Sequence, residues 1–208
     1  MKYFILIFIG LITLVIITSC GLIHTTKGAP TKEQKELMEE YGGIYVFDKA
    51  IRDEIIALQK QELIERKKVS LDDPNFVEKM VALEEKYSIL SNGCKYYIKG
   101  PSKQELKEND WSLYYQKVKE YMGEEIFEKL KKGLAISSYY VDKNGKVIPI
   151  TMFTYISTTI TTYGLYGDEG AGFRLTDSYS VGITGDNIFY LENGKFIKSD
   201  ETREAAWN

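Results

Sequence analysis

The stretch ISSYYVDKNGKVIPI, residues 136–150, decides the fold class. Two short segments rich in branched and aromatic side chains, Ile136 to Val141 and Lys146 to Ile150, flank Lys143-Asn144-Gly145. Asn-Gly is the strongest short hairpin signal, because both residues tolerate a positive φ. The same device returns at Asn193-Gly194, between Ile188-Phe189-Tyr190-Leu191 and Lys195-Phe196-Ile197. Two hairpins of one type account for this similarity without a duplication. Between them, Thr151 to Tyr163 and Phe173 to Ile183 have strand composition. The region 134–200 is therefore expected to form an antiparallel sheet of about four to six strands.

Upstream, as far as Gly133, helical signals dominate. Thr31 and Gln34, and again Ser102 and Glu105, stand at capping-box spacing. The first pair predicts a short helix from Lys32 to Glu40, broken by Gly42-Gly43, with Ile44-Tyr45-Val46-Phe47 following as a strand-like segment or a bent continuation. Asp48 is a fair N-cap for a helix to about Lys68 that carries Ile51, Ile55, Leu58 and Leu63 on one side and charges on the other. Asp73-Pro74 opens the next helix, in which Phe76, Met80, Leu83, Tyr87 and Leu90 recur at steps of four and three. Asn92-Gly93 is expected to close it. The short link between these two helices predicts an αα-hairpin. Asp110 can cap a further helix through Tyr121, with a kink at Gly123. The fold class expected is α+β, with a helical region 31–133 and a β region 134–200 packed as one domain, ending in a polar tail 201–208.

The chain of 208 residues carries 30 acidic and 27 basic side chains, a net charge of −3. A mildly acidic chain without a basic tract argues against binding nucleic acid, which depends on Lys and Arg neutralising phosphates. Sixteen tyrosines and nine phenylalanines suit both strands and interfaces.

At the N-terminus, Lys2 precedes an apolar run from Tyr3 to Ile17, and Ile17-Thr18-Ser19-Cys20 follows. A single positive charge, a long apolar run, two small residues and a cysteine resemble the signal peptide and lipobox of bacterial lipoproteins. The resemblance covers the first twenty residues only. It implies that 1–19 are removed and that Cys20 is acylated and becomes the first residue of the mature chain. It further implies that the protein is held by lipid on the outer side of a bacterial membrane without spanning it. Residues 20–30, with two glycines and one proline, read as the lipidated cysteine and its tether.

His24, in that tether, is the sole histidine, and Cys94 is the one cysteine besides Cys20. The folded body thus has no imidazole for a Ser-His-Asp or Cys-His nucleophilic system, nor for the common histidine-containing zinc centres. No metal or other cofactor is expected. Cys94, between Gly93 and Tyr96-Tyr97, reads as a small buried side chain. Adjacent acidic pairs such as Glu84-Glu85 and Glu124-Glu125 diverge by about 100° on a helix and read as solvated faces. Asp168-Glu169 differs, because it lies in a loop with four glycines, followed by Arg174 and Asp177. These three acids, Asp168, Glu169 and Asp177, are the weak candidates for carboxylate chemistry.

The leading expectation is a non-catalytic binding or structural component of the cell envelope, anchored through Cys20 and engaging an envelope macromolecule. One alternative is a carboxylate-dependent enzyme acting on glycan or peptide. Another is a regulator acting through the helical hairpin, with Phe76, Met80 and Leu83 exposed.

Overall fold

The computed structural model describes residues 25–168 and 172–203. Cys20, Glu169 and the tail beyond Arg203 lie outside the described residues. The elements run β1 (Thr25–Lys27), α1 (Lys32–Tyr41), β2 (Gly43–Val46), α2 (Lys49–Arg66), α3 (Phe76–Tyr87), β3 (Tyr96–Tyr97), α4 (Lys103–Glu108), α5 (Ser112–Met122), α6 (Glu124–Leu130), β4 (Leu134–Val141), β5 (Val147–Asp168), β6 (Gly172–Thr184), β7 (Asn187–Glu192) and β8 (Lys195–Thr202). The mixture of helices and sheet agrees with the α+β expectation. The strand arrangement differs.

The described residues fall into two compact units, 36–156 with 184–203, and 25–35 with 157–168 and 172–183. In the larger unit the strand order is β3-β4-β5-β2-β7-β8. In the smaller unit β1 pairs antiparallel with β5, Thr26 facing Thr162, and β6 pairs with β5 as well. The described chain therefore has eight strands rather than four to six. The segment expected to be a tether up to residue 30 is strand from Thr25 to Lys27.

Strand β2 overturns the simple order of helices first and sheet afterwards. It is inserted between β5 and β7, antiparallel to the first and parallel to the second, with Tyr45 opposite both Met152 and Phe189. The sheet is therefore mixed, not antiparallel throughout. Its lack of alternation follows from burial on both faces, as for strands covered on two sides. Gly43 opens it at φ 146°, and a Cβ there would lie 2.1 Å from the Asn187 carbonyl oxygen. Glycine lets β2 and β7 close against each other.

One face of the sheet carries an aromatic core. The rings of Tyr45 and Phe189 stack 4.5 Å apart, Tyr45 meets Phe196 edge-on at 5.1 Å, and Tyr121 of α5 lies 5.1 Å from Phe189. Tyr114 of the same helix meets Phe47 edge-on at 5.0 Å. On the other face, Ile55 of α2 packs with Leu90, Tyr96 and Ile150, flanked by Ile51 and Leu58. Helices thus cover both faces of the six strands.

Local capping chemistry is where the sequence expected it. Gln34 N donates to Thr31 Oγ1 and Thr31 N to Gln34 Oε1; Ser102 and Glu105 form the same reciprocal box. Asp48 Oδ1 accepts from Ile51 N at 3.0 Å at the start of α2. Gly123, at φ 80°, divides α5 from α6 rather than kinking one helix. Helix α3 stops at Tyr87, five residues before Asn92. Asn92-Gly93 instead forms a tight turn in which Leu90 N donates to the Cys94 carbonyl.

The αα-hairpin is not established by this arrangement; Glu54 of α2 accepts hydrogen bonds from Ser91 N and Oγ, beyond the end of α3. The two Asn-Gly turns also differ. Asn193 and Gly194 both have positive φ, at 49° and 82°, as a two-residue hairpin requires, whereas only Gly145 does so in the first turn. There Asp142 Oδ1 accepts from both Asn144 N and Lys146 N at 2.8 Å, which supports a longer loop.

Candidate functional site

Helix α2 presents Arg52, Ile55, Ile56 and Gln59 at the spacing i, i+3, i+4, i+7, which places all four on one side. These side chains, with Ile44 of β2, Ser137 and Ser138 of β4, Thr151 of β5, Ile98 and Arg203, line a cavity of about 160 Å³. The sequence pattern places the charges of α2 on the solvent side. Arg52 contradicts that, for it is only 8 % exposed.

A pair of irregularities in the β4/β5 ladder shapes the cavity floor. Ile136 faces Met152, Ser138 faces Thr151 and Tyr139 faces Pro149, so β4 gains a residue at Ser137 and β5 gains one at Ile150. Proline has no amide hydrogen for the ladder, and Pro149 lies where the register recovers. Neighbouring strand residues ordinarily point to opposite faces. Through the bulge, both serine hydroxyls instead reach Thr151 Oγ1, Ser137 at 2.7 Å and Ser138 at 2.6 Å.

Arg52 is held from one side only. Its Nη1 donates to the Tyr190 hydroxyl at 2.8 Å and lies 3.8 Å from Asp53 Oδ1. Tyr190 in turn donates to Glu201 Oε2 at 2.9 Å. Burial, reinforced by the bond to Glu201, raises the Tyr190 pKa above the ordinary tyrosine value, so its hydroxyl stays a donor at neutral pH. Nε and Nη2 of Arg52 have no hydrogen-bond partner among the described residues. Gln59 keeps its side-chain oxygen out of solvent with no partner. Exchanging the amide's oxygen and nitrogen leaves an unpaired amide end in either case. Polar groups left unmet in this way are expensive to bury and usually have an explanation.

The lining holds two guanidiniums and no carboxylate. It therefore favours an anion, while Ile44, Ile55, Ile56 and Ile98 supply an apolar wall. Two other hollows of the larger unit are lined by charged side chains that pair among themselves, Lys79 with Asp73 at the link between α2 and α3, and Lys119 of α5 with Glu124 of α6.

The sites expected from sequence lie elsewhere. Asp177 stands on β6, half exposed, with its Oδ1 accepting from Arg174 Nη2 at 2.7 Å. Asp168 ends β5, its side chain outside the described residues, as Glu169 is entirely. Among the described residues no group of three or more His, Cys, Asp or Glu side chains is placed to hold a metal ion. Cys94 is buried and unpaired. Among Phe76, Met80 and Leu83 none is fully exposed, whereas Val77 and Val81 of the same helix are 70 % and 50 % exposed. No helix of the described residues is long and apolar enough to cross a membrane.

The sequence did contain a signal for the cavity. Arg52 and Gln59 sit seven residues apart on the stripe that also carries Ile55 and Ile56, so a helix face read at period 3.6 would have turned both polar groups inward. No protein-family model, no curated protein and no solved structure gives a significant match to this chain.

Proposed function

We propose that this chain is a lipoprotein of a bacterial cell envelope, anchored by acylation of Cys20, that works by binding rather than by catalysis. The lipobox-like Ile17-Thr18-Ser19-Cys20 supports the anchor. The observation that carries the binding role is the cavity beneath α2, where two guanidinium nitrogens of Arg52 have no protein partner and Gln59 keeps an unpartnered amide oxygen out of water, among isoleucines. That lining contains no side chain that exchanges a proton near neutral pH, which suits recognition better than acid-base chemistry.

Strand β1 limits the reach of the anchor. From Cys20 to Thr25 the chain spans at most about 17 Å when fully extended, so the unit containing β1 is held close to the bilayer surface. Fractionation of cells producing the wild type and Cys20→Ser tests the anchor: the wild type sediments with membranes, and the serine variant does not. Equal partitioning of both contradicts it. Crosslinking in intact cells tests the binding role, which calls for a specific envelope component absent from an unrelated lipidated control.

A second reading, in which α2 and α3 form a helical hairpin that docks on a partner, rests on Leu63, Ile64, Leu71, Val77 and Val81, all at least 50 % exposed. A polar substitution at Val77 or Val81 that leaves the recovered component unchanged removes it.

A further inference from the structure

We propose that the cavity beneath α2 binds a small carboxylate with a short apolar body, of roughly six to eight non-hydrogen atoms. The inference rests on the binding role above and gives it a ligand class.

The size follows from the volume. About 160 Å³ is available, and a dry apolar cavity of roughly 150 Å³ accommodates benzene. The carboxylate follows from the free edge of Arg52. Tyr190 and Asp53 both address Nη1, from the end of the guanidinium. Nε and Nη2 form the opposite, side-on edge, with two parallel N–H bonds at the spacing of the two oxygens of a carboxylate. Lysine offers no such edge.

The surroundings agree. Tyr190, fixed by Glu201, holds the guanidinium through Nη1 and makes no hydrogen bond to Nε or Nη2. Arg203 adds a second positive charge to the lining, and no acidic side chain there opposes an anion. The Ser137, Ser138 and Thr151 hydroxyls are already engaged with one another, so they present a polar floor that need not be reorganised on binding. Ile44, Ile55, Ile56 and the half-exposed Ile98 line the rest, where a branched or cyclic hydrocarbon removes apolar surface from water.

Titration calorimetry on the full chain purified in detergent tests this with isovalerate and cyclobutanecarboxylate against their neutral amides. The carboxylates are expected to bind with a dissociation constant of about 1 mM or tighter. The amides are expected to bind at least about tenfold more weakly, having lost the charge-assisted pair. Arg52→Lys keeps the charge but not the edge and weakens the carboxylate by about tenfold or more. Ile56→Trp fills the cavity and abolishes binding while leaving Arg52 in place. Equal affinity for amide and carboxylate, no saturation by either carboxylate, or an Ile56→Trp variant that binds as before overturns the proposal. Should Arg52→Lys fail to fold, the acid-amide comparison and Ile56→Trp still decide. These measurements do not depend on Cys20, so loss of the anchor and loss of the ligand are separate results.

Discussion

Arg52 Nη1 donates to the Tyr190 hydroxyl at 2.8 Å across 138 residues of chain, joining helix α2 to strand β7. Because Tyr190 donates onward to Glu201, the hydroxyl both fixes the guanidinium and is itself fixed. A charge buried to this degree is tolerated only when its hydrogen-bonding capacity is at least partly met. Tyr190→Phe removes one hydroxyl from two partners. It is expected to lower stability by about 1–3 kcal/mol, the range for leaving a buried polar group unsatisfied. Urea denaturation followed by circular dichroism reads this directly, and an unchanged midpoint would show that the bond contributes nothing.

The aromatic face predicts a larger loss. Phe189 is fully buried and stacks on Tyr45 while meeting Tyr121. Phe189→Ala deletes a ring from the centre of the sheet and should cost about 3–5 kcal/mol. A loss under about 1 kcal/mol in the same denaturation experiment would mean that the core closes over the gap, contrary to close packing.

Two glycines should respond differently to alanine. Gly194 has φ 82° and nothing within 4 Å of the position of a Cβ, so Gly194→Ala pays only for a left-handed backbone, about 1–2 kcal/mol. Gly43 combines φ 146° with the Asn187 carbonyl 2.1 Å from the same position, and Gly43→Ala should disrupt the β2/β7 pairing outright. Thermal melts of the two variants order them. Equal melting temperatures would contradict the close approach of those strands.

Alkaline pH should loosen the fold. Burial pushes Tyr139 up to about 12, with the nearby Glu105 carboxylate adding to the effect, and burial likewise pushes Tyr96 up to about 12, with Glu62 adding to it. A folded-state pKa above the unfolded value means that the unfolded chain releases its protons first. Stability from these groups is complete below about pH 10 and is lost as pH rises toward 12. Phenolate absorbance in a pH titration should show a fraction of tyrosines ionising only with unfolding. Smooth ionisation of all of them near pH 10 in the folded protein is the opposing outcome.

What the sequence disclosed was local. The boxes at Thr31/Gln34 and Ser102/Glu105 and the cap at Asp48 were legible because their partners lie three residues away and need no tertiary context. The placement of β2 was not, since its pairing with β7 joins Tyr45 to Phe189 and no short-range pattern names that partner. Asn92-Gly93 suits a helix end and a turn equally, and the antiparallel bridge between Ile89 and Lys95, six residues apart, selects the turn. The candidate site was only partly legible, for two reasons. The spacing of Arg52 with Ile55, Ile56 and Gln59 marks a buried stripe, but Tyr190 and Glu201, which hold its charge, come from distant sequence, and the shared direction of Ser137 and Ser138 depends on a bulge that no strand alternation reveals.

The most direct measurement of the central claim is the mass of the N-terminal peptide of the mature protein isolated from membranes. The peptide is expected to begin at Cys20 and to carry a diacylglyceryl group on its sulfur, with residues 1–19 absent. A chain that retains Met1, or one whose Cys20 thiol is unmodified, would contradict it.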